Sequence, residues 1–132
     1  MLIGRCHCGA VTWRYFNAPS SVTACNCTFC AKAGVLWIYG IEGETLSIQG
    51  PTRAFRRKDQ GALEFHRCDT CGNTICWKLR QPNDHGQTDA ALNIRLADTP
   101  DTIMDLPIRR FDGLNSFKAL SSDGKTVRDL WF

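Results

Sequence analysis

Seven of the eight cysteines in this chain fall into three tight groups: Cys6 and Cys8, then Cys25, Cys27 and Cys30, then Cys68 and Cys71. Thiols spaced by one or two residues can turn two sulfurs toward a single point from one short loop, and that is what a tetrahedral zinc ion asks of its protein. An even cysteine count also fits a disulfide framework. Against it, Met1-Leu2-Ile3-Gly4-Arg5-Cys6 lacks the apolar stretch of an export leader, and no run of about 18 apolar residues could span a bilayer. The expectation is a cytoplasmic protein with no membrane association, in a reducing compartment where paired thiols hold metal rather than one another.

Structural zinc takes four protein ligands, whereas catalytic zinc takes three and keeps a fourth position for water or substrate. Two turns that each offer two thiolates close one site, so Cys6 and Cys8 are expected to meet Cys68 and Cys71. Cys25, Cys27 and Cys30 supply three thiolates to a second site. Its fourth position is either left for a substrate or completed from elsewhere in the chain, with His7, His66, His85 and Cys76 as candidates. Cys76, alone in Thr74-Ile75-Cys76-Trp77, also reads as a small buried hydrophobe. Seven thiolates and two divalent cations together cancel the formal charge of +3, so no nucleic-acid partner is expected.

A domain of 132 residues with 43% hydrophobic residues is long enough for one modest core and too short for two, which makes residues 1–132 a single domain. Its apolar pattern is mostly of period two with frequent turn residues, the signature of a mainly β fold. Val11, Trp13 and Tyr15 alternate with Thr12, Arg14 and Phe16. Further strands are expected at Val35 to Ile41, Leu46 to Gln49, Ala62 to His66, Thr74 to Leu79 and Ala91 to Leu96. The polar stretch from Gln81 to Gln87 reads as a surface loop between two of them. Beyond Pro107 the pattern specifies no element.

Weaker features surround these motifs. Arg53, Arg56, Arg57 and Lys58 form a basic run that reads as a solvated face or as a partner for substrate carboxylates. Trp37 and Tyr39 fall on alternate positions of one expected strand, either packed in the core or walling a pocket. His66, two residues before Cys68, is a general base, a support for the ligands, or a hydrogen-bonded core histidine. The ending Leu130-Trp131-Phe132 is apolar enough to pack on the core or on a second subunit. No Ser-His-Asp order, phosphate-binding loop or dinucleotide fingerprint is present.

The order Gly4-x-Cys6-x-Cys8-Gly9-x-Val11, Cys25-x-Cys27-x-x-Cys30 and Cys68-x-x-Cys71-Gly72 resembles the glutathione-dependent formaldehyde-activating enzyme (GFA) family, which includes the centromere protein V-like proteins. The resemblance runs from Gly4 to Phe111-Asp112-Gly113. It implies a small zinc-bound β-tent (Mss4-like) with two Zn²⁺ per chain, one structural on Cys6, Cys8, Cys68 and Cys71 and one catalytic on Cys25, Cys27 and Cys30. It further implies a carbon-sulfur lyase that adds a small thiol, glutathione or one like it, reversibly to a small aldehyde such as formaldehyde. Two other classes stay open at this point: a non-catalytic zinc-scaffolded binding module, and a protein whose thiolates are themselves oxidised or pass metal on.

Overall fold

The computed structural model describes residues 1–57 and 61–132, so Lys58 of the basic run lies outside the described residues. In chain order the strands are β1 (Leu2–Arg5), β2 (Thr12–Tyr15), β3 (Val22–Cys25), β4 (Trp37–Ile41), β5 (Leu46–Gln49), β6 (Thr52–Arg56), β7 (Leu63–Cys68), β8 (Thr74–Leu79), β9 (Asp89–Asn93), β10 (Ile108–Asp112) and β11 (Lys118–Ala119). Among the described residues there are also two short helices, α1 (Thr28–Ala33) and α2 (Val127–Leu130), and two single 3-10 turns at Ile94–Leu96 and Pro100–Thr102. The fold is mainly β with few helices, as the alternating pattern predicts.

The strands form two sheets, one with the order β1-β2-β5 and one with the order β11-β10-β3-β4-β9-β8-β7-β6. All neighbours are antiparallel except β3 and β10, which run parallel with Cys25 opposite Phe111. That pairing joins residues too far apart in the chain for any local pattern to announce it. The main core gathers Val11, Trp13, Val22, Leu46, Ile75 and Leu92 with Ile94, Ile108 and Val127, all fully buried. Each such aliphatic side chain contributes about 1.5–3 kcal/mol by leaving water. A smaller apolar cluster of Val35, Trp37, Phe65 and Ala91 holds Cys27 and Cys30.

The expected strands Leu46–Gln49 and Thr74–Leu79 have the observed bounds. The strand expected over Ala91 to Leu96 instead starts at Asp89 and stops at Asn93. There the Asn93 side chain accepts a hydrogen bond from the Arg95 N–H at 3.3 Å and turns the chain into a 3-10 helix, an option open to Asn because its carboxamide can replace a ladder partner. Val35 and Leu36 are buried ahead of β4 without joining it. The loop from Gln81 to Gln87 is closed by Asn83, whose side-chain oxygen accepts from the N–H groups of His85 and Gln87.

The apolar ending divides. Leu130 and Trp131 pack on the main core while Phe132 is exposed. Arg95 fixes this segment by donating to the carbonyls of Leu130 and Trp131, with its guanidinium 5.7 Å from the centre of the Trp131 ring.

Candidate metal centres

Two turns carry the first group. After β1 the chain folds back at Cys6-His7-Cys8-Gly9, where the Gly9 N–H bonds the Cys6 carbonyl at 3.0 Å; after β7 it does the same at Cys68-Asp69-Thr70-Cys71-Gly72, with the Gly72 N–H on the Cys68 carbonyl at 3.0 Å. Both closing glycines are left-handed, with φ of 81° and 79°, a conformation glycine adopts without a Cβ penalty. The turns are tied to each other by Asn73, whose side-chain oxygen accepts from the His7 N–H at 2.7 Å.

As a result the Sγ atoms of Cys6, Cys8, Cys68 and Cys71 all lie within 4.8 Å of one another. The Cys6–Cys8 and Cys8–Cys68 sulfurs are 3.6 and 3.7 Å apart. A disulfide needs about 2.05 Å, and all eight cysteines are free. Sulfurs placed tetrahedrally at about 2.3 Å from zinc stand about 3.8 Å apart, so this donor set fits the ion. The Cys71 thiol is pulled down to about 6, chiefly by the Asn73 N–H, and hydrogen bonds of that kind favour the thiolate that binds metal.

The second group sits where β3 runs into α1. Cys25 ends the strand, Cys27 caps the helix by accepting the Cys30 N–H at 3.4 Å, and Cys30 lies in the first turn. The Cys27 N–H points at the Cys25 sulfur at 3.4 Å, and the Trp37 indole N–H at the Cys30 sulfur at 3.2 Å. These three Sγ atoms are also mutually within 4.8 Å, and among the described residues no other cysteine, histidine or carboxylate joins the set. Cys25 is pulled down to about 5 by the hydrogen bond from Cys30, with the Cys27 and Gly113 N–H groups adding to it. Cys30 is pushed up in return, first by that shared proton and then by burial. An ionised Cys25 with two further sulfurs beside it is a soft, negatively charged donor set that a divalent cation would neutralise, so this group fits zinc as well.

A loop from the far end of the chain closes over this triad. Asp112 at the end of β10 is 8% exposed and accepts from the Ser116 N–H at 3.0 Å, the Ser116 hydroxyl at 2.8 Å, the Asn115 N–H at 3.1 Å and the Asn26 side-chain amide at 3.0 Å. These donors, the Ser116 N–H first and the Asn26 amide next, hold its carboxyl well below the usual carboxylate range. Asn26, between two of the cysteines, also accepts the Leu114 N–H at 3.0 Å, so the loop is latched to the triad from both sides. A Cβ on Gly113 would stand 2.6 Å from the Cys25 sulfur; only glycine lets the loop approach this closely.

Between triad and loop lies a cavity of about 580 Å³. Trp37 and Tyr39 both line it, Trp37 at 1% exposure as part of the smaller core and Tyr39 at 48% on the rim. The wall continues through Leu63, Phe65, Trp77 and Leu79 and ends on Phe111 and Phe117. Sequence reasoning missed Asn26, Asp112, Gly113 and Phe117. The one signal available for them was that Phe111-Asp112-Gly113 belonged to the resemblance.

The remaining candidates lie elsewhere. Cys76 is fully buried in the main core, where burial pushes its thiol up to about 12. His66 does not line the triad's cavity; its Nδ1 pairs with the Thr52 hydroxyl at 3.0 Å, and burial, with help from Lys78, lowers its pKa. His7 and His85 are exposed and join neither sulfur cluster. Arg53 and Arg56 pair at the surface with Asp69 and Glu64 at 3.0 and 2.9 Å, while Arg57 lines the cavity.

The architecture and the two sulfur clusters define a small mainly β protein whose cysteines could hold two metal ions. Residues 1–105 match the family model described as glutathione-dependent formaldehyde-activating enzyme, and the chain belongs to that family. A crystal structure of a Rhodobacter sphaeroides protein superposes with a TM-score of 0.57 at 19% identity, covering 73% of this chain and 87% of that one; at that identity the likeness speaks for the fold alone. No curated protein matches this chain. Among the described residues no helix is long and apolar enough to cross a membrane.

Proposed function

We propose that residues 1–132 act as one cytoplasmic zinc-binding domain and catalyse a carbon-sulfur lyase reaction, joining glutathione or a similar small thiol to a small aldehyde and running the same step in reverse. One observation carries this: Cys25, Cys27 and Cys30 bring three sulfurs together at the floor of a cavity, with no fourth ligand atom beside them among the described residues. Cys6, Cys8, Cys68 and Cys71 would hold a structural Zn²⁺ and Cys25, Cys27 and Cys30 a catalytic one. When bound, the second ion supplies positive charge that lets a substrate thiol lose its proton near neutral pH.

The chain's own groups do the rest. Cys25, Cys27 and Cys30 serve as ligands and do not attack the carbonyl. The N–H groups of Cys27, Cys30 and Trp37 fix where the sulfurs point and how much charge they keep. The apolar side chains of Trp37 and Phe65 keep water away from the reacting atoms. Arg57, on the cavity wall, suits a carboxylate of the thiol substrate. In the net reaction an S–H bond breaks, a C–S bond forms, and the proton ends on the former carbonyl oxygen; no electrons are gained or lost.

Zinc stoichiometry combined with X-ray absorption at the zinc edge tests this. The expected result is two zincs per chain and an average sulfur number that rises when glutathione is added. Cys27→Ser is expected to lose one zinc and the catalysed exchange between glutathione and formaldehyde. A Cys27→Ser protein that keeps both zincs and the full rate overturns the proposal.

A further inference from the structure

We infer that the cavity over the triad selects an aldehyde with a bulky aromatic or apolar substituent, and that Phe117 is a residue that determines this specificity. For the reaction itself the inference rests on the lyase reading above; for binding it stands alone. Formaldehyde has two heavy atoms, and a single water takes up about 30 Å³ of liquid, so the cavity of about 580 Å³ is several times larger than that substrate needs. It falls within the range of about 300–1,000 Å³ that houses larger organic ligands.

The wall says what kind of ligand. Among the described lining residues, apart from the three cysteines, only Tyr39, Arg57 and two indoles carry a polar side-chain atom, and the Trp37 indole is already committed to Cys30. Glutathione brings two carboxylates, an ammonium and two amides, and burying these without partners is unfavourable. Its polar body therefore belongs toward the open rim, where Tyr39 is 48% exposed, with only its sulfur end near the triad. The interior offers the faces and edges of Phe65, Trp77, Phe111 and Phe117, which suit an aromatic ring. Addition of the thiol to an aryl aldehyde conserves every atom: the new C–S bond replaces S–H, and the hydrogen ends on the carbonyl oxygen.

Phe117 carries the second, independent observation. It has φ of 54°, which a bulky L residue rarely adopts, and the residue is 59% exposed. The latch at Asp112 enforces this: the Phe117 N–H bonds the Asp112 carbonyl at 2.7 Å, and the ring meets Phe111 edge-on, with centres 5.0 Å apart at 82°. Backbone held in an unfavourable region by surrounding hydrogen bonds, so that an apolar ring faces a cavity, points to a ligand that the ring touches. The family match ends at residue 105, so Phe111, Gly113 and Phe117 form a part of the wall that lies beyond it.

The experiment uses the zinc-loaded full chain and two thioethers that cannot react, S-benzylglutathione and S-methylglutathione, with binding followed by tryptophan fluorescence. The benzyl compound is expected to bind about tenfold tighter or more. Phe117→Gly is expected to cut that preference to about threefold or less without lowering the melting temperature, because glycine accepts the backbone angle; Phe117→Tyr is expected to keep it. Equal binding of the two thioethers, or a preference that survives Phe117→Gly in full, overturns the inference; Trp77→Ala, in the same wall, is expected to weaken the preference as well. Exchange of glutathione with benzaldehyde and with formaldehyde, run alongside, separates the two claims. A benzyl preference with neither aldehyde exchanged removes the lyase reading and keeps the pocket, whereas formaldehyde exchange without a benzyl preference does the opposite.

Discussion

The Cys6/Cys8/Cys68/Cys71 tetrad and the Cys25/Cys27/Cys30 triad use the same side chain and differ in what they join. The tetrad takes two sulfurs from each of two turns, and its Cys8–Cys68 contact spans 60 residues of chain. The triad takes all its sulfurs from one strand end and one helix start; Cys27 and Cys30 sit in the smaller apolar cluster, the Gly113 loop packs on Cys25, and all three cysteines line the cavity. A metal cross-link restrains the unfolded chain according to the length of the loop it closes, so an ion on the tetrad would restrain half the molecule and one on the triad almost nothing. On the proposed reading, the same donor chemistry would serve the fold at one place and keep a metal accessible at the other.

The largest effect that could break this contrast is expected at the tetrad. Cys68→Ser should remove one zinc and most of the ~5–15 kcal/mol that a small domain has to lose, seen as a collapse of the denaturant midpoint. Cys27→Ser should also remove one zinc yet lower stability by only about 1–2 kcal/mol, while thiol–aldehyde exchange falls by about a hundredfold or more. If the two variants exchange these behaviours, the roles of the clusters are reversed.

Gly113→Ala sharpens the contrast on the triad's side. Its Cβ would press on the Cys25 sulfur, with a cost of about 1–3 kcal/mol, and the damage should be confined to the triad. One zinc should become easier to strip with a chelator while the other keeps its wild-type resistance.

The smallest effect is expected at Cys76, the cysteine in neither cluster. Cys76→Ala should keep both zincs and cost about 1 kcal/mol at neutral pH. Burial raises the Cys76 pKa from 9.0 to about 12, so the folded protein favours the neutral thiol. The stability this gives is intact below about pH 9 and is lost as the pH climbs toward 12, because the unfolded chain ionises first. The wild type should therefore lose more stability than Cys76→Ala over that window in paired unfolding titrations.

The cysteine turns could be read from sequence because each is local: a Cys-x-Cys-Gly or Cys-x-x-Cys-Gly segment carries both its sulfurs and the glycine that bends it. Thr74–Leu79 and Leu46–Gln49 were legible for the same reason, with apolar alternation ending at turn residues. Ala91 to Leu96 was overread, since nothing in the apolar pattern shows that the Asn93 side chain will cap a turn. β1 escaped notice as four residues interrupted by Gly4, and α1 was hidden inside the cysteine motif. The triad's outer wall was the least legible. Its position depends on the parallel pairing of Cys25 with Phe111 and on a left-handed phenylalanine, neither of which has a local sequence signal.

That parallel pairing also sets an order of events on the ribosome. Chains emerge N-terminus first at about 5–20 residues per second, so Cys25, Cys27 and Cys30 are available before β10 can lie beside β3 and before Gly113 can close over Cys25. For about 4–17 seconds of each synthesis the three thiols face the cell without their outer wall. A metal ion or an electrophile would meet the three thiols in that interval without the aromatic wall that Phe111 and Phe117 later supply.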